Sequence, residues 1–417
     1  MPLPLSPDVL GQITGEEKVL AEQAYTVLDL FCGAGGLSLG FAQANFHVVC
    51  AVDREEAAVT TYNNNFRHSA ILADLSASVS LPETDLIIGG PPCQGFSSAG
   101  LRRRDDHRNG LVGRFAEYVR QLQPRAFVFE NVEGFLTAQG GEQVTTLLLP
   151  LIEAGYRIHL RKVNSANYGV PQHRKRVIAI GGLGWDPSFP MPTHSAFGAP
   201  GAHLAATDLP LTPTLDETLR TLPSPTTEAP GHPLGHYYRP LSEVDYARAA
   251  VLKPGQTMRN LPDELRHESY QRRAFRRVQD GTPTERRGGA PTGVRRLRGD
   301  EPAKAITGGA NAEFVHPWEH RPLTLRECAR LQTFPDDFVF CGTASQQAQL
   351  IGNAVPPQLA RIIAESIARD FSSAKHTNSR GALLSFVPTL SNGYSPILKQ
   401  VNNDVRAKFW GDSEGWH

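Results

Sequence analysis

Cys93 stands in the segment GGPPCQGFS (89–97), directly after two prolines. Proline fixes its own φ angle, so Pro91 and Pro92 stiffen the backbone just before the sulfur. A free thiol has a pKa of about 8.5, and its thiolate is the nucleophilic form. Most cysteines are small buried apolar side chains, but a core position needs no stiffened loop. The segment therefore predicts a nucleophilic cysteine.

Two further motifs supply groups that could work with such a nucleophile. Glu130 opens ENV (130–132) at the end of an apolar run, where burial raises the pKa of a carboxyl group and lets it donate a proton. QHRKR (172–176) places Arg174 and Arg176 two residues apart, on one side of an extended segment. Alone, each motif also fits an ordinary salt-bridged strand end or a basic strand start.

A glycine-rich segment, DLFCGAGGLSLGF (29–41), has the pattern of a strand end, a turn and a helix start. Such a turn leaves N–H groups free for a ligand. The dinucleotide fingerprint counted from Gly33 requires glycine where Ser38 stands, which disfavours a nicotinamide cofactor. Asp53 ends the second strand, where it can accept hydrogen bonds from ribose hydroxyls, and Asp74 is placed to meet an adenine amino group. We expect an adenosine-containing cofactor.

The elements that position these motifs alternate between strand and helix from Tyr25 to about Gly182. The apolar runs are 25–31, 47–53, 84–90, 126–131 and 176–182, and helical spacing lies between them, for example in 55–66 and 110–123. This alternation predicts an α/β fold with a mostly parallel sheet covered on both faces. Ligands bind at the carboxyl ends of such strands, so one crevice should collect the loops after Leu30, Val52, Gly89 and Phe129.

The character of the chain changes after Trp185. Eleven prolines fall between Pro187 and Pro240, and the tract 251–300 holds one Lys and eleven Arg against six acidic residues, +6 in a chain of formal net charge +0. Phosphate attraction dominates nucleic-acid affinity, so this tract favours DNA contact over a merely solvated face. The sequence predicts a second, irregular domain here.

Helical patterns return at 323–334 and at 356–371. In the second pattern Leu359, Ile362, Ile363 and Ile367 share one face, which should pack back onto the first domain. The predicted organisation is an N-terminal extension, a catalytic domain, a middle domain, a returning segment and a tail without an assigned role, at 1–24, 25–185, 186–320, 321–371 and 372–417.

Composition excludes several classes of protein. The five cysteines have no C-x-x-C spacing, so no metal site is expected. The N-terminus lacks the pattern of a signal peptide, and no apolar stretch approaches the roughly 18 residues that span a membrane. These features predict a soluble cytoplasmic protein.

Taken together, the motifs resemble those of the DNA (cytosine-5) methyltransferases of bacterial restriction–modification systems. They appear in that family's order over about residues 25–371. They are DLFCGAGGLSLGF, Asp53, Asp74, GGPPCQGFS, ENV, QHRKR, RPLTLRECARLQTFPD (321–336) and QLIGNAVPPQLA (349–360). Short patterns such as ENV occur anywhere, but eight in order are specific.

The resemblance implies a Rossmann-like methyltransferase fold with a smaller target-recognition domain, and S-adenosyl-L-methionine as cofactor. By the resemblance, Cys93 attacks carbon 6 of cytosine, Glu130 protonates ring nitrogen 3, and Arg174 and Arg176 bind the base carbonyl and nearby backbone. The residues that would hold the cofactor are Phe31, Gly33, Gly35, Asp53, Asp74, Pro91 and Asn353.

The implied partner is double-stranded DNA, whose target base must be flipped out of the stack. The loop 97–110 looks like the family's mobile loop, and the basic tract stands where the family keeps its target-recognition domain. The residues expected to contact DNA are Ser97, Arg102, Arg103, Arg104, Arg272, Arg273, Arg295 and Arg296. The resemblance also implies action as a monomer, and it leaves open whether a cognate restriction endonuclease accompanies the enzyme.

Three alternatives stay open from the sequence. A tRNA cytosine-5 methyltransferase shares the cofactor and nucleophile motifs, although GFS after Gln94 and the long middle domain favour DNA. A catalytically silent DNA-binding regulator would be free to lose Cys93 or Glu130, yet both are present. A nicotinamide oxidoreductase is disfavoured by Ser38.

Overall fold

The computed structural model describes residues 24–92, 110–199, 208–227, 235–267, 294–373, 380–391 and 393–410. Its centre is an eight-stranded sheet in the order β12-β6-β8-β5-β4-β1-β2-β3. All neighbouring strands pair in parallel except β8, which runs antiparallel to β5 and β6. The strands are β1 (Thr26–Leu30), β2 (His47–Asp53), β3 (Ala70–Leu72), β4 (Leu86–Gly89), β5 (Ala126–Val132), β6 (Tyr156–Asn164), β8 (Lys175–Leu183) and β12 (Ala382–Val387). The predicted mostly parallel α/β fold is confirmed.

The sheet is buried on both faces, as its near-continuous apolar strands require. Alternate residues of one strand enter opposite cores: Leu28 and Leu30 of β1 face one hydrophobic cluster, while Val27 faces the other. β5 divides in the same way, with Phe127 on the first side and Val128 on the second.

Helices cover both faces. The first core contains residues of α3 (Leu111–Leu122) and α4 (Glu142–Glu153), and the second contains residues of α1 (Gly36–Gln43) and α10 (Pro357–Ser372). Leu359, Ile362, Ile363 and Ile367 of α10 are all buried in the second core, so the predicted return of this helix is confirmed. The remaining helices are α2 (Glu56–Asn65), α5 (Leu215–Leu219), α6 (Glu243–Val251), α7 (Ala310–Glu313), α8 (Leu325–Leu331), α9 (Ala344–Asn353) and α11 (Pro396–Trp410).

The middle region is joined to the rest of the chain by short strands and a shared core. β10 (Ala303–Lys304) pairs with β7 (Gln172–His173), and β9 (Arg295–Arg296) pairs with β11 (Phe314–Val315). Leu297, Ile306 and Phe314 share a hydrophobic cluster with residues of α8 and α9. The boundary that the sequence predicts at 320 therefore crosses a continuous core.

The C-terminal tail, to which the sequence assigned no role, completes the catalytic core. β12 adds an edge strand beside β6, and α11 places Val401 and Val405 in the first hydrophobic core. The Trp410 indole N–H donates to the Leu383 carbonyl at 2.6 Å, which ties the helix to the strand. In the described part of the chain, no helix is both long and apolar enough to cross a bilayer.

If the tail is part of the core, Leu383→Ala should lower the free energy of unfolding by about 2–5 kcal/mol, because Leu383 is 2% exposed. Val387→Ala is the matched control on the same strand. Its side chain is 40% exposed, so we expect a change of about 0.5 kcal/mol or less. Denaturant unfolding of both variants measures the difference. Equal, small effects would show that β12 contributes nothing to the core.

Candidate active site

The carboxyl ends of β1, β2, β4 and β5 surround a cavity of about 270 Å³. Sequence positions from Phe31 to Val355 line it, so segments from both ends of the chain build one site. Six of the seven residues predicted to hold the cofactor line this cavity, together with Glu130 and Arg176. The six are Phe31, Gly33, Asp53, Asp74, Pro91 and Asn353. Gly35 lies in the turn itself, two residues beyond Gly33.

The glycine turn after β1 adopts a conformation that few residues tolerate. Phe31, Gly33 and Gly35 have φ angles of 61°, 54° and 89°, all in the left-handed region. Gly35 cannot be replaced without a clash, because a Cβ there would lie 2.5 Å from a ring carbon of Phe66. A non-glycine residue with positive φ stores local strain and is worth a functional explanation, so Phe31 marks this turn as a binding element.

Asp53 connects the turn to the end of β2. Its Oδ2 accepts a hydrogen bond from the Gly33 N–H at 2.9 Å, and its Oδ1 accepts one from the Glu55 N–H at 2.9 Å. Burial raises the pKa of Asp53, and these backbone donors oppose the rise. A carboxylate fixed at a cavity wall, beside a turn where a side chain at Gly33 would meet open space, fits an adenosine-containing ligand.

Glu130 and Arg176 meet at the other wall of the cavity. Glu130 is 6% exposed, and its Oε1 lies 2.7 Å from the Arg176 Nε. β8 brings them together because Arg176 stands opposite Val132 in the antiparallel register with β5. Burial raises the pKa of Glu130, and the charges of Arg176 and Arg174 oppose the rise. The arrangement can hold a carboxyl proton to higher pH than an ordinary glutamate while keeping a cation beside it.

Two residues that the sequence did not single out position Glu130 and the nucleophile segment. A Cβ on Gly90 would lie 2.9 Å from Glu130 Oε2, so a side chain at position 90 would make this carboxyl group shift. The Asn131 side chain donates to the Pro91 carbonyl at 3.3 Å and thereby fixes the start of the Pro-Pro segment against β5. Both residues belong to motifs noted in the sequence, Gly90 to GGPPC and Asn131 to ENV.

Arg174 does not point into the cavity with Arg176, and this expectation is corrected. Its terminal nitrogens donate to the carbonyls of Ile306, Gly352 and Ala354 at 2.7, 2.8 and 2.9 Å. Arg174 is 1% exposed and joins three distant segments. The reason is that the short strand β7 ends at residue 173, so Arg174 precedes β8 and is directed toward the C-terminal motifs.

Arg296 is likewise corrected from a DNA contact to a structural residue. It is 2% exposed, and its guanidinium donates to the carbonyls of five residues and to the His320 ring. The carbonyls are those of Ala249, Leu252, His316, Pro317 and Glu319. Its neighbour Arg295 is half-buried and stays a candidate for DNA contact. The other predicted residues lie outside the described part of the chain: Cys93, Ser97, Arg102, Arg103, Arg104, Arg272 and Arg273.

Comparison with known proteins agrees with the fold and the cavity. Residues 25–369 match the family described as C-5 cytosine-specific DNA methylase, and the chain belongs to this family. It transfers a methyl group from S-adenosylmethionine to carbon 5 of cytosine in DNA. The Asp53 carboxylate and the glycine turn suit that adenosine-containing donor.

Individual relatives cover most of the chain. The Type II methyltransferase M1.HphI of Haemophilus parahaemolyticus is 33% identical over 82% of this chain and 87% of its own length. M.AgeI of Thalassovita gelatinovora is 32% identical over 82% of this chain and 98% of its own. A prophage protein of E. coli, crystallised as a candidate DNA modification methyltransferase, superimposes with a TM-score of 0.61 at 26% identity, covering 84% of this chain and 99% of its own.

Because Gly90 leaves room for Glu130, Gly90→Ala should displace the carboxyl group and reduce methyl transfer by about 10–100-fold, the order of effect expected for a misplacement near 1 Å. Gly113→Ala is the matched control. Gly113 lies in α3, and a Cβ there would be 3.4 Å from the Thr146 side chain, an ordinary van der Waals distance, so activity should be retained. Single-turnover rates at saturating cofactor measure both. Full activity of Gly90→Ala would remove Glu130 placement as the reason for this glycine.

Arg296→Lys should lower the free energy of unfolding by about 2–3 kcal/mol, because an ammonium group cannot serve carbonyls spread around a planar guanidinium. Arg298→Lys, two residues along, is the control. Its side chain is exposed and pairs with Asp300, so little change is expected. Denaturant unfolding tests the pair, with DNA binding measured on the same samples. Unchanged stability with weakened DNA binding would restore Arg296 as a DNA contact.

Proposed function

We propose that the protein methylates a specific site in double-stranded DNA through a covalent bond between Cys93 and carbon 6 of cytosine. The observation that carries this proposal is the placement of Glu130. It is a buried carboxyl group with a raised pKa, held beside Arg176 in the same cavity as Pro91 and Pro92, which lead directly to Cys93. An acid and the approach to a nucleophile thus share one cavity with the cofactor residues.

The proposed sequence of steps follows from what each group can do. The Cys93 thiolate adds to carbon 6, and Glu130 gives its proton to ring nitrogen 3, so the ring does not accumulate an unstabilised negative charge. Carbon 5 is then nucleophilic and accepts the methyl group that the cofactor supplies. Loss of the carbon 5 proton and departure of the Cys93 sulfur restore the aromatic ring.

Arg176 has a defined part in this scheme. When Glu130 has given up its proton, the carboxylate is left in a buried site, where an isolated charge is costly. The Arg176 guanidinium 2.7 Å away stabilises that charge at the moment it forms. Arg174 acts in this proposal as a positioning residue, because its guanidinium donates to the Gly352 and Ala354 carbonyls and so holds the C-terminal end of α9, which bears Asn353, against the cavity.

The target base must leave the duplex to reach a buried carboxyl group, which requires base flipping. The relatives are named Type II methyltransferases, and for this chain we propose the modification role in a restriction–modification system. The enzyme then protects its recognition site from a cognate endonuclease. Arg295 and the basic tract around it supply phosphate and base contacts.

The test compares Glu130→Gln with Glu133→Gln. Glutamine keeps the shape of Glu130 but has no proton to give, so methyl transfer should fall by about 10²–10⁴-fold. Glu133 is 55% exposed, pairs with Lys162 outside the cavity and serves as the matched control with activity retained. Labelled S-adenosylmethionine and bisulfite sequencing of unmethylated plasmid DNA measure transfer, with Cys93→Ser as the inactive reference and tRNA as the competing substrate.

The pH profile of methyl transfer tests whether Glu130 acts as a general acid. A general acid must hold its proton, so the rate should fall as pH rises through the raised pKa of Glu130. Full activity of Glu130→Gln, or methyl transfer to tRNA alone, would contradict the proposal.

A further inference from the structure

The chain turns sharply at Thr333, directly after the end of α8. The φ angle of Thr333 is 68°, in the left-handed region that β-branched residues very rarely adopt. Its N–H donates to the Arg330 carbonyl at 2.8 Å, and the Phe334 N–H donates to the Ala329 carbonyl at 3.0 Å. These two bonds form the Schellman motif that ends many helices, in which glycine usually occupies the left-handed position. Threonine at this position is strained, so its presence needs an explanation.

The hydroxyl group of Thr333 supplies that explanation. Its oxygen accepts a hydrogen bond from the Gln358 backbone N–H at 3.1 Å. Gln358 is the second residue of α10, and the first N–H groups of a helix have no partner within the helix itself. Pro356, directly before α10, makes no side-chain capping bond. A residue 25 positions earlier in the sequence therefore caps α10.

The capped end of α10 borders the cofactor cavity. Positions 353–355 line this cavity, at the end of α9 and in the three residues that separate α9 from α10. The Gln332 side chain donates to the Ile351 carbonyl near the end of α9 at 2.5 Å. Gln332 and Thr333 thus hold the segment 353–355 from both sides, the first through α9 and the second through α10.

Phe334 connects the same turn to the start of α1. A Cβ on Gly36, the first residue of α1, would lie 3.4 Å from the Phe334 ring and 2.2 Å from the Val355 carbonyl oxygen. Gly36 and Val355 both line the cavity. The three consecutive residues 332–334 therefore contact three elements that border the cavity, namely the end of α9, the start of α10 and the start of α1.

We propose that Thr333 is a positioning residue of the cofactor site, whose strained turn places the hydroxyl group that fixes the start of α10 and the adjoining segment 353–355. Thr333 does not line the cavity, so it acts on the ligand through that segment. The hydrogen bond to Gln358 offsets the strain of the left-handed conformation. The inference rests on S-adenosylmethionine binding in the cavity described above.

Thr333→Val is the most direct test, because valine keeps the β-branched shape but has no hydroxyl group. The dissociation constant of S-adenosylmethionine, measured by titration calorimetry of the full chain without DNA, should rise about three- to tenfold, the effect of one lost helix cap. At saturating cofactor, the single-turnover rate of methyl transfer should change less than about twofold, since no group that contacts the base is altered. Thr333→Ser keeps the hydroxyl oxygen and should bind as the unmodified protein does.

Thr333→Gly separates positioning from stability. Glycine adopts the left-handed conformation without strain, but it also lacks the hydroxyl group. This variant should therefore unfold at a higher denaturant concentration than Thr333→Val, while it binds S-adenosylmethionine as weakly as Thr333→Val does.

Thr214→Val is the matched control. Thr214 is half-buried like Thr333, and its hydroxyl oxygen also caps a helix, by accepting from the Glu217 N–H at 3.2 Å at the start of α5. α5 contributes no residue to the cofactor cavity. Thr214→Val should lower the stability of the protein and leave the dissociation constant of S-adenosylmethionine unchanged.

Four outcomes would contradict the inference. An unchanged dissociation constant in Thr333→Val would overturn it and leave the proposed function standing. Equal weakening by Thr333→Val and Thr214→Val would reduce the effect to a general loss of stability. Normal affinity in Thr333→Gly would show that the hydroxyl group plays no part. Failure of the unmodified protein to bind S-adenosylmethionine would overturn the cofactor site as well.

Discussion

The buried guanidinium of Arg174 is the interaction on which the active site depends. It joins the catalytic sheet to Ile306 in the middle region and to Gly352 and Ala354 near the C-terminal end. Removing a charge from water is costly, and here carbonyl oxygens from three segments offset the cost. Gln172 adds a hydrogen bond to the same segment, because its side-chain oxygen accepts from the Ile306 N–H. This cluster helps to fix the C-terminal end of α9, which bears Asn353, against the sheet.

Close packing of α1 against α10 completes the same connection from the opposite side. A methyl group on Gly36 would collide with the Val355 carbonyl, and one on Gly40 would collide with Ala360. Glycine at these two positions lets the helices approach at backbone distance, which a side chain would forbid. Motifs more than three hundred residues apart in the chain thus form one cavity. The hydrogen bonds of Arg174 and the close contacts at Gly36 and Gly40 hold these motifs together.

Much of this arrangement could be predicted from the sequence. The apolar runs locate β1, β2, β4, β5 and β8, and the parallel-sheet rule places their loops around one crevice. β6 was missed although Tyr156, Ile158 and Leu160 alternate with Arg157, His159 and Arg161, the period of a strand. The tail was missed for a physical reason, since β12 and α11 are stable only against a core that other segments build.

Which arginine side chains are buried could not be predicted from the sequence. Arg295 and Arg296 are adjacent in a basic tract, yet they face opposite sides of a two-residue strand, and one is buried among carbonyls. Which side is buried depends on the partner strand β11, which local sequence does not specify. Arg174 differs from Arg176 because Arg174 lies in the break between β7 and β8, whereas Arg176 belongs to β8. Side-chain direction in short strands is set by tertiary pairing.

The carboxyl groups at the two ends of the cavity, Glu130 near the base site and Asp29 and Asp53 near the cofactor turn, have different surroundings. At the base end, Glu130 has Arg176 beside it, so its proton can leave and the remaining carboxylate is stabilised. At the cofactor end, burial and the charge of Asp53 raise the pKa of Asp29, and burial and the charge of Glu55 raise the pKa of Asp53. The same burial raises the pKa of all three carboxyl groups, and the rise is opposed by the charges of two arginines at the base end and by hydrogen-bond donors at the cofactor end.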